Sequence, residues 1–95
     1  MKKSIIDNSE YCFICKRWHD INIQANHIHH CLHGSNRKKA DADGLTVPLC
    51  YRCHTLLHDK GYHDKDLQQI AEQAYLDHYN ASIEDFIQRY GKNYL

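Results

Sequence analysis

Cys12, Cys15, Cys50 and Cys53 form two Cys-x2-Cys pairs with 34 residues between them. Each pair is short enough for both sulfurs to face one ion, and four thiolates at ~2.3 Å around zinc make the closed tetrahedron of a structural site. Cys31, beside His30, has no place in that set and reads as a small buried residue. The rest of the chemistry lies in nine histidines. His27, His29 and His30 stand together in one segment, and His54 follows the second cysteine pair directly. A neutral imidazole is a good transition-metal ligand, and with an unperturbed pKa of ~6.5 it also accepts a proton from water at cellular pH. His58 lies one helical turn from His54, which makes it either a third ligand or a helix-end residue set against the dipole. His27 would share a strand face with His29, within reach of metal or phosphate. His19, His33, His63 and His78 read as surface or core residues.

The elements that must position these groups suggest an α+β domain. Residues 1–10 show no periodicity and predict a tail or a short docking segment, ahead of one domain at 11–95. Cys12–Cys15 is expected as a tight turn ahead of a strand. The alternation of Ile21, Ile23 and Ala25, followed by Ile28, predicts one or two short strands over 20–31. Residues 32–44, with Gly34-Ser35-Asn36-Arg37-Lys38-Lys39 and then Asp41 and Asp43, read as a polar loop. Leu45–Leu49 resumes an extended stretch in which Pro48 requires an edge strand or a strand end. A helix from Tyr51 to about His58 should stop at Gly61. Strand passing into helix at the second cysteine pair is the layout of a treble-clef zinc unit, spanning about 11–61. Leu67, Ile70, Ala71 and Ala74 recur at helical spacing over 64–79, with Asp64 or Asp66 to cap the start. Ser82 with Asp85 opens a second helix over 83–90, whose Ile83, Phe86, Ile87 and Tyr90 form an apolar face ending at Gly91. This C-terminal helical hairpin is expected to pack on the zinc unit, its Tyr and Ile stripes serving as core.

Composition narrows the function classes. Twelve Lys and Arg balance twelve Asp and Glu, so no global basic field advertises nucleic acid and any such contact must be local. No apolar run is long enough to span a membrane, and the opening residues predict no secretory signal, so a cytosolic setting is expected, one in which cysteines serve metals better than disulfides.

Taken together, Cys-x2-Cys, His-x-His-His, the Gly-Ser-Asn-Arg loop, Gly-Leu-x-Val-Pro-Leu-Cys-x2-Cys-His and the closing Phe-Ile-x2-Tyr-Gly-Lys-Asn-Tyr-Leu resemble a small phage-type member of the HNH endonucleases, the ββα-metal nucleases. The resemblance covers the chain from Cys12 onward. It implies a ββα-metal unit, treble-clef-like, with His30 as general base and His29 and His54 as ligands of a catalytic divalent cation, Mg²⁺, Mn²⁺ or another transition metal. His58 is a further ligand candidate. The family's central Asn is missing, because Gly44, Leu45 and Thr46 occupy its place. Asn36, Asp41 and Asp43 are possible substitutes, Asn36 being preferred for holding the loop near His30. The implied function is hydrolysis of phosphodiester bonds in DNA, with RNA also open, by a phage or prophage protein taken as a monomer. Arg37, Lys38 and Lys39, the densest basic run, and Arg52 at the helix start are candidate contacts to the phosphate backbone. Two other readings stand beside it. In one, a non-catalytic zinc domain binds nucleic acid or a phage protein. In the other, every histidine is a structural zinc ligand.

Overall fold

The computed structural model describes residues 3–95, and residues 1 and 2 of the expected tail lie outside it. The chain is an α+β domain with a two-stranded sheet and five α-helices among the described residues. In chain order these are α1 (Phe13–His19), β1 (His27–His30), α2 (Arg37–Asp43), β2 (Thr46–Leu49), α3 (Tyr51–Lys60), α4 (Asp64–Tyr79) and α5 (Ile83–Tyr90), with a single 3₁₀ turn over Gly34–Asn36. None of these helices is long and apolar enough to cross a membrane.

β1 and β2 pair antiparallel in the register His27↔Leu49, Ile28↔Pro48, His29↔Val47 and His30↔Thr46. A two-stranded sheet leaves each strand one free edge, so Pro48 is accommodated without breaking a ladder. Val47, Leu49 and Leu45 are fully buried and form the centre of the core with Ile14, Leu32, Leu67 and Phe86. The segment from Lys3 docks on the sheet: the Ile5 amide donates to the Gly44 carbonyl at 2.9 Å, the Ser4 hydroxyl donates to the Thr46 carbonyl, and Ile5 and Ile6 pack against the core.

Three segments differ from their expected form. Cys12 is the N-cap of α1 rather than part of a turn leading to a strand, and Asp20 closes that helix in the left-handed conformation. Ile21 and Ile23 are 51% and 39% exposed, and residues 20–26 contribute only one isolated bridge, Tyr11 to Gln24, because no neighbouring strand is there to extend. The polar stretch after Cys31 is helical. α2 has one buried residue, Ala40, and is held mainly by polar contacts to α5. The Arg89 guanidinium is bidentate on Asp43, the Tyr90 hydroxyl donates to the same carboxylate, and Lys39 and the Asn36 amide donate to the carbonyls of Arg89 and Tyr90 at 2.9 and 3.0 Å.

α4 and α5 occupy the stretches that the helical periodicity predicts. α5 opens on a complete capping box, with Ser82 Oγ accepting from the Asp85 amide and Asp85 accepting from the Ser82 amide. α4 has no side-chain cap: Asp64 and Asp66 sit in its first turn, where the helix dipole favours them, and His63 precedes it in the left-handed region. On α5, Phe86 and Tyr90 are buried, whereas Ile83 and Ile87 remain exposed, so the apolar face is only half core.

Gly44 and Gly61 both end helices at positive φ, 78° and 71°. They differ in surroundings: a Cβ on Gly44 would lie 2.7 Å from the Lys3 carbonyl oxygen, while none of its neighbours would meet a Cβ on Gly61 within 4 Å. Gly61→Ala should therefore cost about 1 to 2 kcal/mol from backbone strain alone. Gly44→Ala should cost clearly more, because the N-terminal segment must move. Urea midpoints of the two variants at matched slope measure the difference, and equal losses would mean that the segment yields freely.

Candidate metal centres and histidine cavity

The two cysteine pairs share one local construction. Cys12 and Cys50 are the N-caps of α1 and α3, and Cys15 and Cys53 follow in the first turn of each. The four sulfurs lie within 4.8 Å of one another and all four residues are buried. Four ligands at ~2.3 Å from a tetrahedral ion stand about 3.8 Å apart. Cys15 Sγ is 3.7 Å from that of Cys53 and 4.0 Å from that of Cys50, so the cysteines are spaced to hold one metal ion, as a structural zinc site requires. Burial pushes the Cys15 thiol up to about 11 and raises Cys53 further; Cys12 and Cys50 add to both, while the contact with Cys53 partly offsets the rise at Cys15. Burial also opposes ionisation of Cys50, but the Cys53 amide and the neighbouring thiols bring it below its usual value. A bound cation reverses this balance, since coordinated thiols are deprotonated. Cys31 is fully buried and outside the set; burial raises its thiol well above the ordinary range.

The histidines gather where β1 meets α3. His27 and His29, two apart on the strand, face α3, and both touch His54. His29 Nδ1 is 3.3 Å from His54 Nε2, and His54 Nε2 is 3.1 Å from His58 Nε2. Ligand nitrogens at ~2.0–2.1 Å from a tetrahedral ion lie about 3.4 Å apart, so His29, His54 and His58 are already spaced as one face of a coordination shell. His27 Nδ1 lies 3.0 Å behind His54 Nδ1, where it backs His54 instead of joining the group. His29 is 2% exposed, and its Nε2 is buried with no hydrogen-bond partner. Burial, reinforced by the surrounding histidines, depresses His29 to about 3 and lowers His54 for the same reasons. Both are therefore held in the neutral form that a metal needs.

His30, the next residue on the strand, lies on the α2 side. Its Nε2 is 3.0 Å from Asp41 Oδ1 and its Nδ1 accepts from Arg37 Nε at 3.4 Å. No strand irregularity is needed for His29 and His30 to meet one space: a cavity of about 240 Å³ wraps the end of β1 and is lined by both, together with His33, Arg37, His54 and His58. A second opening of about 430 Å³ adjoins His30 and is lined by Arg37, Lys38, Asp41 and Ala42.

The polar residues near this cavity divide. Asp41 meets His30, whereas Asn36, the preferred substitute for the missing asparagine, ties its amide to α5, and Asp43 is engaged by Arg89 and Tyr90. Arg37 and Lys38 border the histidine cavities, while Lys39 turns to the Arg89 carbonyl. Arg52 lies elsewhere, over a groove with Ile21, Ile23, Leu56 and Tyr62. Two residues with metal-binding geometry go unnoticed in the sequence reading. His33 and Asp64 form a second group with His29. A separation of 31 positions hides the pairing, although the unused histidine beside a Gly-Ser-Asn turn is a signal that could have been followed. Comparison with family models, with curated proteins and with solved structures gives no match.

A buried imidazole with one unsatisfied nitrogen is a cost to folding that an apolar side chain would not carry. Without added divalent ions, His29→Leu is expected to leave the melting temperature unchanged or to raise stability by about 1 kcal/mol. A marked fall would show that the cluster stabilises the fold on its own.

Proposed function

We propose that this chain is a metal-dependent endonuclease of the HNH type that hydrolyses phosphodiester bonds in DNA. It is built on a treble-clef-like unit whose structural zinc is held by Cys12, Cys15, Cys50 and Cys53. The observation that carries the reading is the position of His30, gripped by Asp41 in the wall of the cavity that also receives His29, His54 and His58. A proton acceptor and an open set of metal ligands facing one space is what hydrolysis of a phosphodiester asks for.

The partners of His30 assign its tautomer. Nε2 donates to the Asp41 carboxylate, which leaves Nδ1 as the basic nitrogen. Asp41 fixes the orientation of the ring, so it takes over the orienting duty of the family's asparagine. When a phosphate enters, Arg37 can leave Nδ1 for the more negative partner and free the base. His30 Nδ1 then takes a proton from water as the water oxygen bonds to phosphorus and the bond to the 3′ oxygen breaks. A divalent ion on His29, His54 and His58 supplies polarisation of the phosphate and stabilisation of the departing oxygen. Lys38, on the adjoining opening, is placed for a neighbouring phosphate.

Supercoiled plasmid incubated with zinc-loaded protein and Mg²⁺ or Mn²⁺ should be converted to nicked circles, and EDTA should stop it. His30→Ala should lower the rate by at least ~100-fold, and Asp41→Asn should fall between the two. No cutting by folded wild type with any divalent ion would replace this reading with that of a non-catalytic nucleic-acid-binding domain.

The zinc assignment has its own measurement. Purified protein should contain one tightly held zinc, and Cys15→Ser should lose it together with the cooperative melting transition, because the binding energy of a structural zinc is folding energy. A Cys15→Ser protein that melts like wild type would remove zinc from the account of the fold.

A further inference from the structure

We propose that His29, His33 and Asp64 hold a divalent transition-metal ion of their own, beside the His54 and His58 cluster and sharing His29 with it. One ligand atom from each of the three lies within 4.8 Å of the others, and His33 Nε2 is 2.8 Å from Asp64 Oδ1. A surface pair of this kind between His33 and Asp64 alone would be unremarkable and worth little. The buried neighbour sets it apart. His29 is 2% exposed and directs Nδ1 toward His54, and its other nitrogen, Nε2, is sealed from solvent without any partner. With Nδ1 turned to His54, Nε2 is the nitrogen of His29 left to meet an ion held with His33 and Asp64.

Two imidazoles and one carboxylate suit zinc, cobalt, nickel or ferrous iron, whereas magnesium prefers oxygen ligands and its own water. The half-exposed His33 and Asp64 leave room for water to complete the shell. The proton balance is simple. The Nε2 proton of His33 moves to its Nδ1, Asp64 binds as the carboxylate, and with ions on both nitrogens of His29 the ring releases one proton to solvent. Such an ion would join the turn after β1 to the first residue of α4, fastening the helical hairpin to the sheet. The inference does not rest on nuclease activity.

The experiment removes the neighbouring cluster and titrates what is left. His54→Ala/His58→Ala protein, with its cysteines zinc-loaded, is titrated with Co²⁺ and followed by its visible absorption and by calorimetry. One equivalent should bind, and adding His33→Ala or Asp64→Asn should weaken binding at least ~100-fold, since loss even of an outer partner costs ~10–100-fold. Zinc content and melting temperature check the fold, and His54→Gln/His58→Gln replaces the alanine pair if that variant fails to fold. No Co²⁺ uptake by the folded double variant, or uptake indifferent to both His33→Ala and Asp64→Asn, overturns the proposal. Because His30 is intact and no DNA is present, failure here is read apart from failure of plasmid nicking.

Discussion

Four sulfurs from two segments remote in sequence converge within 4.8 Å, and the position of α3 depends on that convergence. Cys50 caps the helix and Cys53 lies in its first turn, so fixing the sulfurs fixes the first residues of α3. His54 is the very next residue, and His58 lies one turn further along. β2 runs into Cys50 from the other side and sets β1 by antiparallel pairing, which puts His29 opposite Val47. Strand and helix thus share one anchor, and the distance from His29 to His54 follows from it. A core of this size has little apolar surface with which to impose such alignment by packing alone.

The histidine cavity runs against the economy of folding. His29 is buried among other histidines and one nitrogen has no partner, an arrangement that opposes compactness. Depression of its pKa keeps the ring neutral, so the cluster does not repel itself and stays available as a ligand set. His30, one residue along, meets a carboxylate and a guanidinium instead of a shell of imidazoles. Adjacent residues on one strand therefore face opposite electrostatic settings, and the alternation of strand side chains is sufficient to divide them.

How much of this could be read from the sequence depends on the range of the interactions. α4 and α5 were legible because their signals are local: apolar residues at helical spacing, Ser82 three residues before Asp85, Gly91 at the end. The cysteine pairs and the extended stretch at 45–49 were legible because their spacing and apolar run state them directly. α2 was not, since Arg37–Asp43 offers a single apolar residue and owes its place to Arg89 and Tyr90, more than forty positions away. Ile21 and Ile23 alternate as a strand should, but a strand needs a neighbour, and only Gln24 finds one. The pairing of His33 with Asp64 is invisible for the same reason. Asn36 could not be placed from its side-chain type, because folding 37–43 into a helix brings Asp41 to His30 and leaves Asn36 against the Tyr90 carbonyl.

The polar clasp between α2 and α5 carries an implication for how the domain could be cut or rebuilt. Asp41 and Arg37 reach His30 only because α2 is held in place, and α2 is held by Asp43, Lys39 and Asn36 gripping the last turn of α5. All of the cysteines and every histidine of the cavity lie before α5. A chain shortened to the end of α4 would thus keep its complete inventory of metal ligands while surrendering the brace that aims Asp41. The C-terminal helix belongs to the alignment of the cavity as much as to the core, and that alignment depends on residues up to Tyr90, well beyond the last candidate ligand.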